Sequence, residues 1–217
     1  SICLGHPVVR LVFQRNLFST GNMSRKTKNV TSDHRKSMFA DGFTERFDLE
    51  QYFWTQETVQ RLMESLKYVD DCCCLTTPSL GQGFYEVGRN EVVLDIDRRF
   101  EYLPGFRYFD IRYPTTCENE THQILVLDPP FFYIPMDVIY RAVLTLTRGD
   151  TKVNLLIGFL KREESVLLRT FKDFHLMETK FKLEYTTVRP NKWKNYALYS
   201  NIDLPHIKRI TKILYFR

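Results

Sequence analysis

No stretch of the chain approaches the ~18 consecutive apolar residues that a membrane-spanning helix needs, so a soluble protein without a membrane partner is expected. Cysteine is scarce and unevenly placed: Cys3, the triplet Cys72, Cys73 and Cys74, and Cys117. Three adjacent thiols on one segment do not make a disulfide framework, and no C-x-x-C or His/Cys spacing suggests zinc. Buried thiols in a reducing compartment are the better reading. His6, His34, His122, His175 and His206 show no ligand spacing either, so no metal is expected. Internal repeats and low-complexity tracts are absent as well. The tripeptides Asn29-Val30-Thr31 and Asn119-Glu120-Thr121 match the glycosylation pattern, but such short patterns recur by chance and no clear secretory signal accompanies them.

What is present is ordinary material for a sizeable core. The 217 residues are 43% hydrophobic and 26% charged, with 17 Phe and 12 Tyr, which excludes a disordered chain. The net charge of +5 is a small remainder of an uneven distribution. Residues 1–38 carry +6, residues 39–147 carry −9 and residues 148–217 carry +8, so an acidic first half and a basic second half suggest two jobs on one scaffold. Residues 1–22 lack acids and carry Arg10 and Arg15, the composition of a mitochondrial presequence; a basic tail ahead of a start at Met23 fits the same residues.

Residues 1–46 are read as a basic flexible leader and 47–217 as one domain. Order is expected from about Leu49, with Thr55 capping a helix whose Val59, Leu62, Met63, Leu66 and Val69 share one face. Strands are expected at 72–76, 92–96, 106–111, 124–127 and 153–160, with helices at 137–147 and 163–171 and late strands at 176–185 and 196–201. Around Pro78, Gly81 and Gly83 a loop with a short helix is expected. Strands alternating with helices give an α/β fold with a mainly parallel sheet, helices on both faces and a late antiparallel hairpin. Glu163 and Glu164 open a helix, where acids suit the dipole, so no catalysis is assigned to them.

In open α/β sheets, ligands bind beyond the carboxyl ends of the strands. Asp97, Asp110 and Asp128 fall there, where carboxylates can accept from ribose hydroxyls or an amino group; singly, each reads more simply as a turn former. The sharpest signal is Asp128-Pro129-Pro130-Phe131. The Asp128 carboxylate and the Pro129 carbonyl can accept from an NH2 group, aiming its lone pair at a methyl donor by positioning. Phe131 offers a face for stacking, and the prolines stiffen the loop.

With these residues the chain resembles the N6-adenine-type class I methyltransferases that use S-adenosylmethionine. Gln51-Tyr52-Phe53-Trp54-Thr55-Gln56-Glu57-Thr58 is similar to the opening segment of the elongation-factor lysine methyltransferases of that family. Leu94–Phe100 resembles segments of those enzymes and of the zinc-knuckle ribosomal-RNA adenine methyltransferase, and Leu176–Tyr185 followed by Asn195–Tyr199 resembles the latter more closely. The resemblance spans about residues 49–205. It implies a Rossmann-like fold and S-adenosyl-L-methionine as cofactor. It places Thr77, Pro78, Ser79, Asp97 and Asp110 at the cofactor, with ribose at Asp97 and adenine at Asp110. Asp128, Pro129, Pro130 and Phe131 would hold the acceptor amine. Departures are the absence of G-x-G-x-G after the first strand, shared with the relatives, the bulky Phe132 and Tyr133 beside the acceptor, and the missing zinc knuckle.

Arg189–Tyr196 mixes bases with aromatics, and Lys192, Trp193 and Lys194 suit phosphate contacts and stacking. A solvated hairpin loop anchored by Trp193 is the simpler account of the same residues. The expected activity is N-methylation, at adenine N6 in RNA or DNA; the alternatives are a protein-lysine substrate on a translation factor, and a non-catalytic binding or assembly subunit. A separate adaptor subunit would fit the missing targeting module. A cytoplasmic or nuclear location follows, or the mitochondrial matrix if residues 1–22 are a presequence.

Overall fold

The computed structural model describes residues 36–116 and 121–211. The presequence reading, Met23, both glycosylation tripeptides, His6, His34, Cys3 and Cys117 lie outside those residues.

Helix α1 (Gln56–Ser65) opens as its sequence dictates: the Thr55 side chain accepts from the Thr58 amide, a cap of about 1 kcal/mol. Val59, Leu62 and Leu66 are buried along one face. The following strands are β1 (Cys72–Leu75), β2 (Val92–Asp95), β3 (Phe106–Tyr108), β4 (Ile124–Leu127), β5 (Asn154–Leu160), β6 (Met177–Glu178) and β7 (Tyr196–Ser200). They form one sheet in the order β3-β2-β1-β4-β5-β7-β6, parallel from β3 to β5 and antiparallel at β7 and β6. Helices α2 (Pro78–Glu86), α3 (Met136–Leu146) and α4 (Glu164–Thr170) complete it.

Successive strand residues point to opposite faces, and two cores follow. Cys72, Cys74, Ile124 and Val126 pack with α1 and α2, while Cys73, Leu75, Leu125 and Leu127 pack with α3 and α4. The central strands are buried on both faces, which is why they read as uninterrupted apolar runs. Cys72, Cys73 and Cys74 are fully buried.

Three expectations are corrected. Order begins before Leu49: Met38 is buried, its amide donates to Gln82, and Phe43 stacks on Phe100. The polar composition of 36–46 hid these contacts. Around Pro78, Gly81 and Gly83 the expected short helix takes the whole of Pro78–Glu86 and no loop precedes it; a Cβ on Gly81 would come within 2.3 Å of Val93 Cγ2, so this glycine lets α2 lie close on β2. Only Met177–Glu178 of the 176–185 segment joins the sheet, because the chain then leaves β7 and makes single bridges, Thr179 to Arg209 and Tyr185 to Trp54.

Parallel strands put their carboxyl ends on one edge. The sheet reverses direction of growth at β1, whose neighbours are β2 and β4, and this opens the crevice at which α/β sheets bind ligands.

Candidate active site

A cleft of ≈ 940 Å³, its open mouth included, lies at that crevice. Its floor comes from the ends of β1, β2 and β4. After β1 the chain turns sharply at Thr76, a non-glycine residue with φ +56°, and α2 begins at once with Pro78. Thr76, Thr77, Pro78 and Ser79 line the cleft and present the positive end of α2 to it. Thr77 is locked by its hydroxyl, which donates to the Val126 carbonyl at 3.2 Å.

Asp95 and Asp110 form one wall. Asp95 ends β2 and is 6% exposed; burial pushes its carboxyl up to about 7. Oδ1 of Asp95 accepts from the Asp97 amide at 2.8 Å, which fixes the turn. Asp110 sits just past β3 and is clasped by Arg112, whose hydrogen bonds hold the carboxyl below its ordinary value.

Asp97, expected at the ribose, does not line the cleft. Its carboxylate, 1% exposed, takes Nε and Nη2 of Arg99 at 2.9 and 2.6 Å and Nε2 of Gln51 at 2.8 Å. Burial alone would raise its pKa, but the Arg99 and Gln51 hydrogen bonds outweigh it and the net shift is downward. Asp97 therefore ties the roof to β2, and Asp95, two residues earlier, faces the ligand space.

The roof is Asp48–Trp54, all seven residues of which line the cleft. It is stitched down by Phe53 and Thr55 to Glu184 and Thr186, through Thr55 N to Glu184 O and Thr186 N to Phe53 O, both 2.9 Å. Trp54 is 1% exposed, and its indole N–H is a buried donor without a hydrogen-bond partner.

Asp128, at the end of β4, borders the cleft together with Pro130, Tyr133 and Ile134. Its Oδ1 accepts from the Tyr185 hydroxyl at 3.2 Å. Burial drives the carboxyl well above the ordinary range, while Tyr185 and the neighbouring Trp54 indole partly favour its ionised form. Gly158 on β5 makes room for it: a Cβ there would stand 2.7 Å from Asp128 Oδ1.

The rest of the expected acceptor group is arranged differently. Phe131 does not line the cleft; it packs edge-on against Phe159 at 5.1 Å and tilted against Tyr196 at 6.2 Å, so its ring serves the core side of the loop. Pro129 is buried behind Pro130 and does not line the cleft. Phe132 is 57% exposed beneath the guanidinium of Arg162, and Tyr133 is 70% exposed at the cleft mouth. Lys192, Trp193 and Lys194 are outside the cleft. The Trp193 indole donates to the carbonyls of Tyr185 and Val188 at 3.2 and 2.9 Å, which makes it an anchor of the hairpin loop. Lys192 and Lys194 project into solvent from the turn that leads into β7.

Glu50, Trp54, Asp95, Gly158 and Tyr185 were not singled out by sequence reasoning. The opening-segment resemblance contains Trp54 and was the one signal pointing to the roof.

The lining suits a ligand that offers hydroxyls, amines and positive charge, since Asp48, Glu50, Asp95, Asp110 and Asp128 all border the space. S-adenosylmethionine has that chemistry, with vicinal ribose hydroxyls, two amino groups and a sulfonium. One group is ready for it: the Asp95 carboxyl borders the space, and no arginine hydrogen bond to it is described.

The sequence profile described as "Probable N6-adenine methyltransferase" matches residues 45–204. None of the curated proteins matches. Among solved structures, a TehB-like S-adenosylmethionine-dependent methyltransferase from Corynebacterium glutamicum is 12% identical, with 70% of this chain and 88% of that chain covered and a TM-score of 0.42. Precorrin-6y C5,15-methyltransferase from Geobacter metallireducens is 9% identical over 74% and 93% of the two chains, TM-score 0.39. A two-protein E. cuniculi complex that methylates the translation termination factor is 17% identical over 69% and 95%, TM-score 0.39. The chain belongs to the N6-adenine methyltransferase family, whose methyl donor is S-adenosylmethionine.

Proposed function

We propose that this methyltransferase methylates the exocyclic amine of adenine in RNA, with Asp128 receiving the amine. One observation carries the reading: Asp128 is the carboxyl that the end of β4 delivers to the cleft, oriented by Tyr185, on a loop stiffened by Pro129 and Pro130. The donor supplies an electrophilic methyl on sulfur. The chain's part is to accept an N–H at Asp128, which borders the cleft while Pro129 does not, so that the nitrogen lone pair faces that methyl. As nitrogen–carbon forms and sulfur–carbon breaks, the sulfonium would leave as a neutral thioether and one amine proton would pass to solvent water. Asp95 takes the ribose hydroxyls in place of Asp97, Asp110 the cofactor adenine, and Thr77 to Ser79 the region where α2 begins.

Burial favours the neutral acid at Asp128, which suits an uncharged aromatic amine better than a lysine ammonium. Tyr133, exposed at the mouth, replaces Phe131 as the surface for stacking the base. Arg162, Arg189, Lys192 and Lys194 lie where β5 ends and β7 begins, the carboxyl edge that carries the cleft, and suit the phosphates of a single strand.

The five carboxylates bordering the cleft support a second reading, methylation of a protein lysine. Labelled cofactor incubated with total RNA, DNA and lysate separates the two. Label in RNA that digests to N6-methyladenosine and disappears in Asp128→Ala is expected; label confined to a protein band and lost in that variant establishes the lysine reading instead.

A further inference from the structure

The carboxylate of Glu50 is unusual among the acids of the cleft, because peptide amides hold it and no side-chain hydrogen bond to it is described. Oε1 accepts from the amides of Phe131 at 3.2 Å and Phe132 at 2.8 Å. Oε2 accepts from Phe132 at 3.0 Å and Tyr133 at 3.1 Å. Three consecutive N–H groups thus converge on one anion, the arrangement of a backbone nest. The amides belong to the loop that begins with Asp128; the anion belongs to the roof, across 81 positions of sequence.

Local structure is bent to make this contact. Glu50 has φ +52°, a left-handed conformation that a residue with a Cβ adopts at a cost, and it is 8% exposed. Burial raises its pKa, and the amides of Phe132, Tyr133 and Phe131 pull it back toward the ionised form. A strained backbone and a desolvated charge at one residue need compensation, and the nest supplies it. An acid whose two oxygens are both engaged by the acceptor loop is poorly placed to be a ligand for the cofactor.

We propose that Glu50 is the positioning residue of the acceptor loop: by holding the Phe131–Tyr133 amides it sets Asp128 and Pro130 against the cleft and makes their placement depend on the roof. This rests on the reading of Asp128 as the group that receives the amine. Glu50→Gln keeps the size of the side chain but loses the charge and one acceptor oxygen. Glu50→Asp keeps the charge but shortens the reach.

Hydrogen exchange of the unliganded protein tests the contact without any acceptor. In Glu50→Gln the Phe131, Phe132 and Tyr133 amides are expected to exchange at least about tenfold faster, while Leu125 to Leu127 on β4 stay protected and report an intact sheet. Glu50→Asp is expected to fall between. Calorimetry then separates positioning from direct cofactor contact. Affinities for S-adenosylmethionine and for the uncharged-sulfur product S-adenosylhomocysteine should change by the same factor, with kcat lowered roughly 10- to 100-fold. Unchanged exchange at the three amides, or a loss of S-adenosylmethionine affinity that spares the product, overturns the proposal. If exchange quickens as expected but wild type methylates no adenine, the acceptor assignment fails and the clamp stands.

Discussion

The Tyr185 hydroxyl donates to Asp128 Oδ1 at 3.2 Å, joining the segment that leads into the hairpin to the end of β4. Removing the donor leaves the carboxyl free to rotate without emptying the site. Tyr185→Phe is expected to lower kcat about 10- to 100-fold, with cofactor affinity nearly unchanged and a stability loss of roughly 1–2 kcal/mol. Steady-state kinetics with calorimetry and urea unfolding check the three together.

Gly158 should tolerate no side chain while Asp128 is present, since an added Cβ meets Asp128 Oδ1 at 2.7 Å and Leu183 Cδ1 at 3.2 Å. Gly158→Ala is expected to cost about 1–3 kcal/mol and to abolish most transfer. In an Asp128→Ala background the nearer clash is gone, so the same substitution should cost much less. A double-mutant cycle in urea measures that coupling, and additive effects would count against the contact.

Asp95 makes the unliganded protein weaker at alkaline pH. The unfolded chain releases this proton near 3.8 and the folded chain near 7, so the folded state binds more protons between those values. Stability falls as pH rises from about 4 to 7 and stays at the lower level above that. A shift of this size corresponds to roughly 4 kcal/mol. Asp95→Asn is expected to flatten that slope, to raise unliganded stability at pH 8 by about 2–4 kcal/mol, and to weaken cofactor binding. Urea midpoints across pH, with calorimetry at pH 8, test it.

Lys192 and Lys194 bear on the substrate and Trp193 on the fold. Replacing both lysines with alanine is expected to weaken RNA binding and to reduce the slope of log affinity against log salt by roughly 1 to 2. Trp193→Ala should destabilise the hairpin, because the indole N–H bonds to Tyr185 and Val188 are lost. Filter binding at several salt concentrations reports the first effect and thermal unfolding the second.

Elements with local signatures were legible in the sequence. Ile124–Leu127 reads as a buried strand because nothing polar interrupts it, and Thr55 announces α1 by its own side chain. Asp128 was legible because two prolines rarely follow an acid at a strand end. Asp97 is read at the cofactor from its place at a strand end, whereas Asp95 lines the cleft; the Arg99 fork that holds Asp97 is visible only in three dimensions. Glu50 and Tyr185 gave no signal of their own, since each acquires its role from a partner more than fifty positions away.

The bridge between Trp54 and Tyr185 has a consequence for synthesis on the ribosome. The roof is translated before any strand of the sheet, but the segment that holds it in place follows β6, the last strand but one in chain order. A nascent chain halted after β5 would carry Asp95, Asp110 and Asp128 and the roof's ties to Asp97 and to the acceptor loop, yet lack the Glu184–Thr186 bridge that completes the roof. Cofactor capture should therefore begin only when residues near 186 have left the exit tunnel, so that the cleft forms late and all at once.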